Sequence, residues 1–148
     1  MKQAPQDKRL MECLRPSKFS GSGFMGDDPR EMEEVISDDA STLEKLGITR
    51  QDIVSSLKLI FKKAEKELGD PVTITKDLTA EYISCRGKIP SPFPGEGAFT
   101  KDMVQVTSNR GDVKFYITPL SIHLIEKHGF FQGKGSPFRI EPEYIAGL

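Results

Sequence analysis

The two histidines of the chain stand in the run His123-Leu124-Ile125-Glu126-Lys127-His128, and they are its best-suited residues for acid–base or metal chemistry. Imidazole is the side chain whose ordinary titration falls near neutral pH, so it serves as general acid, general base or metal ligand. A helix turns about 100° per residue, so a spacing of five sets the two rings about 140° apart. One straight helix therefore does not bring both to a single metal ion, and the familiar zinc pairing has a spacing of four. His123 and Glu126 are three apart and share a face, the arrangement of an imidazole oriented by a carboxylate. His123, Glu126 and His128 are accordingly the candidate catalytic set, and no metal site is expected. The plainer role for either histidine is a helix cap or the edge of the core.

A second constellation is basic and glycine-bearing. In Gly129-Phe130-Phe131-Gln132-Gly133-Lys134-Gly135-Ser136-Pro137-Phe138-Arg139, backbone amides freed by glycine stand beside Lys134, Ser136 and Arg139. Such groups can cradle a phosphate or carboxylate. The segment is not a Walker loop, because Gly135 separates Lys134 from Ser136 and no strand–loop–helix context surrounds it. Arg86-Gly87-Lys88 with Ser91 is chemically similar. Folded together, Arg86, Lys88, Ser91, Lys134, Ser136 and Arg139 would line a pocket for an anionic small molecule, walled by Phe93, Phe130, Phe131 and Phe138. Two loops packing their aromatic rings into the end of a sheet would use the same residues. Cys85, beside Arg86 and Lys88, is a further nucleophile candidate only if a histidine base lies next to it, and a buried strand cysteine is the ordinary alternative.

Composition narrows the field. The chain has 148 residues, 21 Lys and Arg against 22 Asp and Glu, and 36% hydrophobic residues, which suits one soluble domain with a single core. A net charge of −1 argues against a dedicated nucleic-acid or membrane-surface protein. Leu43 to Leu57 has the outline of a helix-turn-helix, but the stretch Asp27 to Glu44 carries eight acids and one base, which phosphate would repel. Arg110-Gly111-Asp112 reads as hairpin-turn chemistry. No apolar run has the roughly 20 residues of a membrane span. Two cysteines, Cys13 and Cys85, are too few for a disulfide scaffold and point to a reducing compartment. No cofactor is implied.

The elements that must position these residues follow from periodicity. Residues 1–27 read as a flexible basic arm, with Ser20-Gly21-Ser22-Gly23 as a polar link. A single α+β domain over residues 28–148 follows, helical over 28–69, then a sheet and a short helix over 70–148. Asp28-Pro29-Arg30-Glu31 has the form of a capping box opening a helix. Ser37-Asp38-Asp39 interrupts that helix with cap-type residues, which allows two short helices in its place. Gly47 suits a left-handed cap, and Thr49 with Asp52 caps the next helix. There Ile53, Val54, Leu57, Ile60, Phe61, Ala64 and Leu68 form one stripe, with Lys58, Lys62, Lys63 and Lys66 on the other face. Val72–Thr75, Thr79–Cys85, Met103–Thr107 and Val113–Thr118 read as strands, the last two flanking a turn. Three alternate prolines in 87–97 predict a stiff extended loop. Thr118-Pro119 starts a short helix through Lys127, and a brief apolar turn at Tyr144-Ile145 ends the chain. The expected fold is α+β: an N-terminal helical hairpin packed on a small, mainly antiparallel sheet, with a short C-terminal helix.

Gly26-Asp27-Asp28, Leu46-Gly47-Ile48-Thr49, Arg86-Gly87-Lys88-Ile89-Pro90 and the run Ile122 to Phe131 continuing to Arg139-Ile140-Glu141-Pro142 together resemble a group of small prokaryotic cytosolic proteins without an assigned activity. The resemblance implies a cytoplasmic location and carries no functional residue. The residues themselves lead to three expectations: a binding module for an anionic small ligand, an enzyme using a His/Glu acid–base pair, or an interaction subunit that meets a protein partner or a second copy through the helical hairpin.

Overall fold

The structure, a computed structural model, describes residues 24–146. Most of the arm read over residues 1–27, with Cys13, lies outside the described residues. Its last residues are packed. Phe24 is buried, and its carbonyl accepts a 2.8 Å hydrogen bond from the Gly133 amide.

Helix α1 spans Met32–Leu46 and helix α2 Arg50–Lys66. The first begins later than the capping-box pattern predicts, with Glu31 as an N-cap that makes no side-chain bond. Asp28 is engaged elsewhere: it accepts from Arg30 Nε at 2.8 Å and from the backbone amides of Arg30 at 3.1 Å and Lys134 at 3.0 Å. Nor does Ser37-Asp38-Asp39 break the helix. Asp38 accepts from Arg30 at 2.8 Å and Asp39 from Arg139 at 2.8 and 2.9 Å, so neither carboxylate competes for local backbone. Gly47 closes α1 at φ 71°, and the Thr49–Asp52 capping box opens α2 with bonds of 2.9 and 3.1 Å. Leu68 falls beyond α2, at φ 50°, and is 82% exposed, so it leaves the apolar stripe.

Strands β1 (Val72–Thr73), β2 (Leu78–Ile83), β5 (Met103–Ser108) and β6 (Lys114–Ile117) form an antiparallel sheet in the order β1-β2-β5-β6. Val106 lies opposite Ala80 on one side and Phe115 on the other. The proline segment is a hairpin rather than a loop alone: β3 (Lys88–Pro90) pairs with β4 (Ala98–Thr100) as a separate two-stranded sheet. Both of its strands are edges, where proline is tolerated. Helix α3 (Pro119–His128) and the short α4 (Pro142–Ala146) complete an α+β fold. No helix among the described residues is long and apolar enough to cross a membrane.

Beside a small apolar cluster of Ile83, Cys85, Met103 and Phe138, two larger ones result. The larger joins Ile53, Val54, Leu57 and Ile60 of α2 to Ala80, Val104, Val106 and Phe115 of the main sheet. The smaller joins Phe24, Val35, Ile89, Leu120, Leu124 and Phe130. Helix α3 divides them, since Ile122 and Ile125 face the first and Leu120 and Leu124 the second.

A candidate acid–base site at the hairpin tip

Helix α3 owes its start to a reciprocal cap, with the Ser121 amide donating to Thr118 Oγ1 at 3.0 Å and the Thr118 amide to Ser121 Oγ at 2.8 Å. Its end is set by Gly129 at φ 66°. With two faces committed to the two cores, His123 and His128 are left on the side that meets the β3–β4 hairpin. That hairpin's tip is braced from within: the Ser91 amide donates to Gly97 O at 3.0 Å, and Ser91 Oγ accepts from the Phe93 amide at 3.1 Å.

The tip delivers Glu96 to both histidines. His123 Nε2 lies 2.8 Å from Glu96 Oε1 and His128 Nε2 lies 2.7 Å from Glu96 Oε2. Ser91 Oγ donates to the first oxygen at 3.0 Å. The His123 contact above all, then those of His128 and Ser91, outweighs the opposing desolvation and holds the Glu96 carboxyl down at about 2. Glu96 is therefore an anion near neutral pH, so each ring supplies the proton of its contact through Nε2–H. In the neutral ring Nδ1 is then the basic nitrogen. The rings are further fixed by aromatics: Phe93 stacks on His128 at 3.7 Å between centroids, and Phe99 tilts against His123 at 4.7 Å.

The two rings differ in what they face. His123 shares a groove of about 700 Å³ with Ser55, Lys58, Leu59, Lys62 and Glu65 of α2 and with Ile122, Glu126 and Phe99. Its α2 wall is an i, i+3, i+4, i+7 ridge, and Pro119, Ile122, His123 and Glu126 repeat that spacing on α3. A groove of this size suits a small molecule. His128 lies outside that lining, under Phe93. Among the described residues, no three His, Cys, Asp or Glu groups are arranged to hold a metal ion. The His123 and His128 rings, 6.4 Å apart, direct their Nε2 atoms at the carboxylate rather than at a common point.

The structure places the other sequence candidates variously. Glu126 lines the same groove as His123 but pairs with Lys58 at 3.2 Å, and the carboxylate on His123 is Glu96. Ser91 is in the site as a support for Glu96. Arg86 and Lys88 are exposed at the base of the hairpin. Arg139 is held by Asp39, by the Gln132 carbonyl at 2.6 Å and by Glu141, with side-chain exposures of 8% for Arg139 and 5% for Asp39. Burial works against its charge, yet these partners keep the guanidinium protonated above its usual range. Ser136 is buried and donates to Gln132 Oε1 at 2.7 Å, while the Lys134 amide and carbonyl bind Asp28 and Asp27. Arg139, Ser136 and the Lys134 backbone are thus engaged within the protein. Cys85 is buried and its sulfur is in a disulfide, so it offers neither a thiolate nor support for a reducing compartment.

Sequence reasoning missed Glu96, because nothing within its own loop marks it: its partners lie 27 and 32 residues away. The nearest local signal is Ser91 with Gly95 and Gly97, turn chemistry that fixes the tip carrying the carboxylate. No family model, no curated protein and no solved structure matches the chain.

Proposed function

We propose that the protein is an acid–base enzyme in which His123 takes up a proton from a small substrate in the α2–α3 groove. Glu96 and, through it, His128 are positioning residues. The observation that carries this reading is the contact of His123 Nε2 with an ionised carboxylate in a histidine that also lines a groove of ligand size. A base held by an orienting acceptor, next to a concave space, is the arrangement general-base catalysis requires. The carboxylate fixes the ring and its tautomer, and its negative charge stands against the imidazolium formed when Nδ1 takes the proton. A pocket built from the two basic loops has less support, since Arg139, Ser136 and the Lys134 backbone are already engaged.

The test uses 5-nitrobenzisoxazole, an apolar reporter whose ring opens when a base removes its carbon-bound proton. The chain should open it faster than free imidazole at equal concentration. His123→Ala should abolish the excess, and Glu96→Gln should lower it at least tenfold, with melting temperature followed in parallel. Turnover no better than imidazole, or unchanged by His123→Ala, would overturn the reading.

A further inference from the structure

We infer that the ligand of the α2–α3 groove is a small anion with an apolar body, its charged group met by Lys62 and Lys58. The inference rests on the groove being the substrate site, and not on proton transfer at His123. Three observations carry it. Lys62 lines the groove and, among the described residues, makes no ion pair or hydrogen bond, so its charge is met by solvent alone. Lys58, one turn away, is held only by Glu126, through one contact of 3.2 Å with side-chain exposures of 53% and 37%. An exposed single-contact pair of this kind is worth little, so an incoming anion can share Lys58 while Glu126 stays hydrated. The walls between these charges are apolar: Phe61, Phe99 and Ile122 line them, and Leu59 stands 68% exposed in the same lining.

The acids of the groove do not cancel this pattern. Glu126 is accounted for by Lys58. Glu65 is the last residue of the α2 ridge and, among the described residues, makes no ion pair with Lys62. The Glu96 carboxylate has both oxygens occupied by donors from His123, His128 and Ser91. Lys62 is left as the group facing the groove with an unmet charge, and a carboxylate, sulfonate or phosphate monoester on an aromatic or alkyl body supplies both complements.

The experiment compares two fluorescent probes with the same aromatic body, anionic 8-anilinonaphthalene-1-sulfonate and neutral N-phenyl-1-naphthylamine, titrated into the full chain. The sulfonate should bind at one site per chain, at least tenfold tighter than the neutral probe. Lys62→Met should weaken the sulfonate about tenfold and leave the neutral probe unchanged. Leu59→Asp should weaken both, and Lys66→Met, on the same helix outside the groove, neither. No saturable sulfonate binding, equal affinity for the two probes, or sulfonate binding indifferent to Lys62→Met would each overturn the inference. A native chain that binds the sulfonate through Lys62 but opens the benzisoxazole no faster than imidazole removes the acid–base reading alone, and His123-dependent turnover with Lys62-independent binding removes the anion assignment alone.

Discussion

Glu96 joins groups from two parts of the chain through two oxygen atoms, and that makes its ionisation a property of the fold. Its folded carboxyl titrates at about 2 against an ordinary 4.5, so the folded state binds its proton less readily than the unfolded state. The stabilisation is therefore fully present above the ordinary value and is lost as pH falls toward about 2. Glutamine at this position keeps the shape and some hydrogen bonding but has no such titration. We expect the stability gap between the native chain and Glu96→Gln to be full near about pH 5 and to narrow steadily from about pH 4.5 to about pH 2. Denaturant titrations at fixed pH measure it. A gap that stays constant across that range would mean that the contacts with His123 and His128 are not coupled to the charge of the carboxylate. The Asp39–Arg139 pair is a different case at the same scale. Both side chains are nearly inaccessible, and each satisfies the other, so the pair fixes the Gln132–Arg139 loop against α1 more than it serves any ligand.

At the scale of elements, the segment before α1 and the loop after α3 meet backbone to backbone, and glycine makes that approach feasible. A Cβ on Gly133 would stand 2.1 Å from the Met25 carbonyl oxygen, and one on Gly26 would stand 2.3 Å from the Ser136 amide nitrogen. Neither obstacle is a side chain that can swing away. Gly133→Ala should therefore lift the 24–28 segment and cost about 2–3 kcal/mol. Gly47→Ala has nothing within 4 Å and meets only the strain of φ 71°, so about 1 kcal/mol is expected. Urea denaturation of the two variants checks the order, and equal losses would remove the packing argument. The same junction shows what was legible in the sequence. Helix α2 was legible because its cap, Thr49 with Asp52, and its apolar stripe are local. Helix α3 and the β5–β6 hairpin were legible for the same reason. Asp28 was misread as a cap because its side chain answers to the Lys134 amide, 106 residues on. Strands β3 and β4 were hidden by prolines that exclude a central strand but not an edge. Glu96 was hidden because no pattern inside a tip loop announces which distant helix it will meet, and the groove because its two ridges mix charge with apolar groups and leave no hydropathy signal.

At the scale of the whole molecule, the two larger apolar clusters divide the fold into parts of unequal strength, with α3 as their common wall. The larger cluster is backed by a four-stranded sheet in which β5 pairs on both sides. The β3–β4 hairpin has only three residues in each strand and adds one buried side chain, Ile89, and the partly buried Phe93 and Phe99 to the smaller cluster. Its other fastenings to α3 are Glu96 on the two histidines and the ring contacts of Phe93 with His128 and Phe99 with His123. Short strands with little burial open locally at free energies well below that of global unfolding. The Ser91 and Lys101 amides, which donate to Gly97 and Gly87 across the hairpin, should then exchange with solvent deuterium much faster than the Val104 and Val106 amides of β5. Glu96→Gln should speed exchange at Ser91 and Lys101 by about tenfold, because it weakens the polar contacts that hold the tip to α3, and should leave β5 unchanged beyond the loss of global stability. If all four amides instead shift together, the hairpin opens only with the whole domain, and the carboxylate between the histidines belongs to the global core rather than to a separately hinged tip.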